Sequence, residues 1–170
     1  MLDIEYCNED YPLGTGGAIK KSMQFCSDEN VFVMNGDSFF NADLQTMRKY
    51  HIDVSANITI AIKEMQNYDR YGTVMIDNGV VKSFREKQCV ERGFINGGIY
   101  MVRRDIFHEF ELLDVFSFES DFLCKEKLKI HAVPFDGGFI DIGISEDYAL
   151  AQTLIPLWII DVIGKKKSEI

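Results

Sequence analysis

Basic residues are the scarce kind in this 170-residue sequence. Eighteen Lys and Arg face 27 Asp and Glu, for a formal net charge of -9. That deficit disfavours non-specific nucleic-acid binding, which needs a basic footprint. A small anionic substrate is not excluded, because a few local Lys or Arg residues hold a phosphate even in an acidic protein. The four cysteines, Cys7, Cys26, Cys89 and Cys124, form no C-x-x-C pair. Cysteine metal sites and redox pairs are thereby disfavoured, and reduced thiols are expected. The three histidines, His51, His108 and His131, lack metal-ligand spacing, and no Ser or Cys stands in a nucleophile context, so covalent catalysis has no support. Neither a G-x-G-x-x-G fingerprint nor a P-loop with its Lys occurs. The longest apolar stretch, 149–163, is broken by Gln152, Thr153, Pro156 and Asp161. It is too short and too polar for a membrane span. No basic-then-apolar leader opens the sequence, and a cytoplasmic location is expected.

What is present suits one globular domain: 46% hydrophobic residues, 12% aromatics and no low-complexity segment. The expected division is a domain over 1–152, then an apolar helix and basic tail over 153–170. Strands are predicted at 2–7, 31–34 (a buried run), 56–62, 72–76, 80–84, 94–102, 130–135 and 139–142. Asp77-Asn78-Gly79 marks a hairpin turn. Helices are predicted at 18–25, from an Asp43 cap to about residue 50, near 105–110, near 118–125, and after a Ser145 cap. This order predicts an α/β sandwich with a mixed sheet. Ligands in such sheets sit beyond the carboxyl ends of strands. The tail around Trp158 reads either as a docking surface or as packing on its own domain.

Residues just after strands therefore carry the candidate chemistry. Asp37, in Asn35-Gly36-Asp37, stands where a carboxylate can hold Mg²⁺ together with substrate phosphate oxygens; alone, the tripeptide is an ordinary turn. Asp141, between Ile140 and Ile142, needs a partner or a metal if it is buried; it reads equally as a hydrogen-bonding group for the helix beyond. The run Leu13-Gly14-Thr15-Gly16-Gly17 precedes a helix and offers either free N–H groups to an anion or base edge, or a plain turn. Lys87, after Glu86, is either a phosphate grip or half of a solvated pair. Asn96-Gly97-Gly98 interrupts an apolar strand, as a ligand approach or a bulge would. Tyr71-Gly72 opens the hairpin.

Together these segments resemble the sugar-1-phosphate nucleotidyltransferase family, in order and at matching spacing. The resemblance rests on Pro12-Leu13-Gly14-Thr15-Gly16-Gly17-Ala18-Ile19, Asn35-Gly36-Asp37, Tyr71-Gly72, Glu86-Lys87, Asn96-Gly97-Gly98-Ile99-Tyr100, and Phe139-Ile140-Asp141-Ile142-Gly143 with Glu146-Asp147-Tyr148. The D-glycero-D-manno-heptose 1-phosphate guanylyltransferase branch is the most similar, through the Pro-Leu-Gly-Thr-Gly-Gly-Ala-Ile form and Asp69-Arg70-Tyr71-Gly72-Thr73-Val74. The resemblance implies a Rossmann-like mixed-sheet fold of the nucleotide-diphospho-sugar transferase type. It also implies nucleotidyl transfer from a nucleoside triphosphate, GTP in that branch, to a heptose or mannose type sugar 1-phosphate. The product would be a precursor of lipopolysaccharide or capsule. By resemblance Asp37 and Asp141 bind Mg²⁺, with Lys87 the third catalytic residue. Leu13, Gly14, Thr15, Gly16, Gly17, Gly36 and Asp37 bind nucleotide. Tyr71, Gly72, Glu86, Lys87, Asn96 and Gly97 bind the sugar phosphate.

Three departures stand beside the match. The family's opening G-G-x-G-T-R-L type loop has no counterpart, so an N-terminally truncated form with little or no activity is expected. Gln88 replaces the usual Pro after Glu-Lys, and Ile144-Ser145 replaces Thr-Pro or Val-Pro. The alternative reading is a non-catalytic sugar-nucleotide-binding or regulatory module completed by a partner chain. A homo-oligomer is left open.

Overall fold

The computed structural model describes residues 3–168, with side chains through residue 160. Two helix–sheet layers form around a six-stranded sheet of order β1-β6-β3-β7-β5-β4. Its members are β1 (Asn30–Met34), β3 (Ile58–Tyr68), β4 (Thr73–Asp77), β5 (Val80–Arg85), β6 (Val90–Arg103) and β7 (Ile130–Pro134). A separate ladder pairs β2 (Ser38–Phe40) with β8 (Phe139–Asp141). The helices are α1 (Gly14–Ser22), α2 (Leu44–Asp53) and α3 (Ser145–Ser168). The sheet is mixed as expected: β3 runs parallel to β7 and antiparallel to β6.

Alternation along the long strands builds two cores. Ile58, Ile60 and Ile62 of β3, with Tyr100 and Val102 of β6, face one side. There they meet Met23 after α1 and an aromatic group of Phe107, Phe116, Phe118 and Phe122. The Phe107 and Phe122 rings lie 4.6 Å apart, and each such pair contributes about 1 kcal/mol beyond its area burial. Ala61, Ile99 and Met101 face the other side, against Met47 of α2 and Phe40 of β2. Asp43 caps α2 by accepting from the Gln45 and Thr46 amides at 2.9 and 3.1 Å, worth about 1 kcal/mol. His51, four residues beyond Met47 on the same buried face, is bonded at both ring nitrogens, to Thr59 Oγ1 at 2.8 Å and Asn30 Oδ1 at 2.9 Å.

The β4–β5 hairpin turns at Asn78 and Gly79, both with positive φ, as a two-residue hairpin requires. Register between β3 and β6 breaks once. Ile60 faces Tyr100 and Ile62 faces Asn96, so one residue of β3 opposes three of β6. Gly98, inside that bulge, has φ of +72°, open to glycine at no steric cost. The glycine pair is thus a bulge that also lies beside the cavity described below.

Several elements differ from the sequence reading. Of the strand expected at 2–7, residue 2 lies outside the described residues and 3–7 are irregular; Ile4 and Tyr6 are exposed. Their alternation has no neighbouring strand to pair with among the described residues. α1 starts at Gly14, four residues earlier than expected; Gly14, Gly16 and Gly17 pack closely on the 114–116 segment. β1 is an edge strand that among the described residues pairs with β6 alone, and it is half-buried; Val31 and Val33 pack on one core and Phe32 on the other, which accounts for its continuous apolar run. The helices expected near 105–110 and 118–125 are single turns, Ile106–Glu109 and Phe118–Phe122. Ser145 lies within α3, not ahead of it, and Ile144 O accepts from Tyr148 N in the first turn. α3 runs unbroken across residue 153. Trp158 stacks on Phe39 of β2 at 5.9 Å and covers Gly138, so its ring packs on its own domain. Residues 169–170 of the expected tail lie outside the described residues.

Candidate active site

One cavity of about 570 Å³ gathers residues from six places in the chain. The turn after β1 supplies Asn35 and Asp37, and β8 supplies Asp141. The β3–β4 connection supplies Arg70, Tyr71 and Gly72. Arg85, Glu86 and Lys87 come from the end of β5, Asn96 and Gly98 from the β6 bulge, and Glu119 from the turn after Ser117. A larger hollow of about 930 Å³ lies beside β1. Its buried ionisable group, His51, is already bonded at both nitrogens, so it offers less chemistry.

The two residues with candidate metal carboxylates are joined through the backbone of the small ladder. Ser38 pairs with Asp141, and Ile142 N donates to Asp37 O at 2.9 Å. Asp37 is exposed to the cavity, and among the described residues no hydrogen bond or ion pair engages its carboxylate. Asp141 is half-buried, and its Oδ1 accepts from Gly143 N at 2.8 Å. This bond is local, two residues short of α3, not the expected bond to the helix itself, and it occupies only one oxygen. No group of three or more His, Cys, Asp or Glu is placed to hold a metal among the described residues. A carboxylate pair with room for phosphate oxygens and water fits Mg²⁺, which is rarely held by an all-protein cage.

The cationic side is equally defined. Arg70 donates to Asp147 Oδ2 at 2.6 Å, and its guanidinium carbon lies 5.8 Å from the Tyr71 ring centre. Asp147 raises the Arg70 pKa, chiefly through that hydrogen bond. Burial raises the Tyr71 hydroxyl, so it stays protonated near neutral pH. Tyr71 also packs edge-on against Phe139 of β8 at 5.7 Å. Lys87 and Glu86 are exposed and have no hydrogen bond or ion pair to a described residue.

The cavity thus brings together Asp37, Asp141, Tyr71, Gly72, Glu86, Lys87 and Asn96. Gly36 lies in the turn beside it; a Cβ there would meet nothing within 4 Å, so no internal crowding demands its glycine. Gly97 does not line the cavity; it packs under the Phe40 ring, and Gly98 takes the lining position. Two of the N–H groups at the start of α1 are engaged within the chain. Gly16 N and Gly17 N both point at Phe116 O, at 2.9 and 3.4 Å. The glycines admit the 114–116 segment: a Cβ on Gly14 or Gly17 would collide with its backbone, and one on Gly16 with the Phe116 ring. Leu13 is buried, and only Thr15 reaches toward the cavity, through Glu119. Sequence reasoning missed Arg70, Arg85 and Glu119 as lining residues. Arg70 offered a signal in Asp69-Arg70-Tyr71-Gly72; Glu119 offered none, since its partners lie 19 and 104 residues away.

A family model described as nucleotidyl transferase matches residues 1–155. The chain belongs to this family. It is 46% identical over 153 residues to the D-glycero-alpha-D-manno-heptose 1-phosphate guanylyltransferase of Aneurinibacillus thermoaerophilus, covering 89% of this chain and 66% of that protein. Identity to the protein of the same name from Campylobacter jejuni is 47% over 150 residues, covering 86% and 65%. Among solved structures, HddC from Yersinia pseudotuberculosis complexed with GMP-PN superposes with a TM-score of 0.76 at 37% identity, covering 84% of this chain and 63% of that one. The chain therefore spans just under two thirds of the length of the curated relatives it matches. The mixed α/β fold expected from sequence agrees with these family structures. No helix among the described residues is long and apolar enough to cross a membrane.

Proposed function

We propose that this cavity is the sugar-phosphate and metal side of a nucleotidyl transfer site, using GTP and a heptose or mannose type sugar 1-phosphate. The observation carrying this reading is the convergence of Asp37, Asp141, Lys87, Glu86, Tyr71 and Asn96 in one cavity of a chain from this family. The reaction joins a sugar-phosphate oxygen to the α-phosphorus of the triphosphate. The α–β bridging bond breaks, and pyrophosphate leaves with its electron pair. Such transfer depends on placing the reactants and balancing charge.

The chain's residues divide that work. Lys87 serves as a point charge for the sugar phosphate. Glu86 and Asn96 meet sugar hydroxyls, and Tyr71 offers its ring face. Asp37 and Asp141 would hold Mg²⁺, which when bound supplies charge neutralisation on phosphate oxygens. Guanine as the base follows the names of the relatives. The four free thiols suit a reducing cytoplasm. A second reading, a sugar-nucleotide-binding module without turnover, is favoured by one observation: the Gly16 and Gly17 amides are already taken by Phe116 O.

Calorimetric titration with mannose 1-phosphate and GDP-mannose, with Mg²⁺ or with EDTA, tests the proposal. Binding should weaken in Lys87→Ala for both ligands. For GDP-mannose it should depend on Mg²⁺ and on Asp37. Metal-independent binding that Asp37→Asn and Lys87→Ala leave unchanged would refute it. Pyrophosphate release in the presence of GTP would separate the enzyme from the binding module.

A further inference from the structure

Glu119 stands where two parts of the cavity wall meet, and both of its oxygens are engaged. Oε2 accepts from Thr15 Oγ1 at 3.2 Å, and Oε1 accepts from the Tyr100 hydroxyl at 3.1 Å. Thr15 belongs to the first turn of α1, and its oxygen also accepts from Phe118 N at 2.8 Å. Tyr100 is fully buried in β6. Its oxygen accepts in turn from Asn96 Nδ2 at 2.6 Å.

The direction of this chain of bonds follows from the groups themselves. A carboxylate only accepts. Tyr100 has one proton, and burial together with the Glu119 charge raises its pKa far above the ordinary range, so the proton stays. That proton goes to Glu119, and the Tyr100 oxygen is left to accept. Asn96 must therefore turn its NH₂ toward Tyr100. At its other end, Asn96 Oδ1 accepts from Gly98 N at 3.0 Å. Two independent groups thus fix the same orientation of an amide that diffraction alone seldom resolves. One Nδ2 hydrogen is left, on a residue that lines the cavity.

We propose that Glu119 is a positioning residue which, through Tyr100, makes Asn96 present a hydrogen-bond donor to the sugar phosphate. The site then selects an acceptor oxygen at that point, and Thr15 locks α1 to the same carboxylate. This inference rests on the sugar-phosphate reading of the cavity.

The test uses the full chain with Glu119→Gln, Tyr100→Phe and the double substitution. Nitrogen-15 NMR follows the Asn96 side-chain amide, assigned by its loss in Asn96→Asp. In ligand-free protein, Glu119→Gln and Tyr100→Phe should each shift that amide pair. Mannose 1-phosphate should bind about tenfold more weakly to each, as for one lost hydrogen bond, and no more weakly to the double variant. An unmoved Asn96 amide in Glu119→Gln overturns the proposal, as do losses that add in the double variant. If wild type binds no mannose 1-phosphate, the ligand reading fails, while the amide shifts still decide the relay.

Discussion

Acidification should loosen this fold through His51. The ring is 2% exposed and joins α2 to β3 through Thr59 and to β1 through Asn30. Asn30 Oδ1 accepts only, so Nε2 carries the proton and Nδ1 accepts from the Thr59 hydroxyl. A second proton on Nδ1 would force the Thr59 hydroxyl to turn from donor to acceptor and would place a charge in the core. Burial, aided by His131, accordingly lowers the His51 pKa from 6.5 to about 4. The unfolded chain then binds a proton from pH 6.5 downward while the folded chain does not. The stabilisation is complete above pH 6.5 and is lost as pH falls toward 4. The full loss is about 3 kcal/mol, and between pH 7 and 5 it is about 2 kcal/mol. In urea unfolding that interval corresponds to a midpoint shift of about 1 M. His131, also lowered by burial, acts in the same direction, so the comparison must be with His51→Gln, whose pH slope should be much flatter. Equal slopes in the two proteins would refute the reasoning, as would an NMR titration of His51 with a midpoint near 6.5.

Three further outcomes are expected. Gly16→Ala drives a Cβ into the Phe116 ring and should cost about 1–3 kcal/mol in urea unfolding. Trp158→Ala removes the stack on Phe39; since the indole is half-buried, about 2 kcal/mol of stability should be lost, with weaker Mg²⁺-dependent GDP-mannose binding because the β2–β8 ladder loses its cover. Asp141→Asn keeps an acceptor for Gly143 N and should leave the unfolding temperature nearly unchanged, yet raise the Mg²⁺ needed for half-maximal GDP-mannose binding about tenfold or more.

Much of the scaffold was legible because its signals are local. The Asp43 cap and the Asn78-Gly79 turn each declare themselves within a few residues. The first half of β3 shows as a short apolar run because residues 58–62 are buried on both faces. The residues after strand ends were also legible, and the cavity gathers Asp37, Lys87, Asn96 and Asp141. Signals without a local cause were misread. Residues 3–7 alternate like a strand, but a strand exists only where a partner offers a ladder. The glycines at 14–17 carry a second signal that the sequence does not display: their smallness also admits a segment a hundred residues away, around Phe116. Gly97 and Gly98 are adjacent and chemically identical, and only the register break decides that one packs under Phe40 while the other faces the cavity. Glu119 acts through contacts that no pattern in its own neighbourhood encodes.

The register break in β6 has a consequence for exchange with solvent. On one side of it, residues 99–103 are bonded between β1 and β3; on the other, residues 90–96 belong to a two-stranded extension of β3 joined by Thr73 of β4. The longest strand of the protein should therefore release its amide protons in two blocks, the first slow and the second faster. Asn96 and Gly98 lie on the seam between them, and Gly98 O also holds Asn35 N. A molecule resting on that seam would slow exchange on both sides at once.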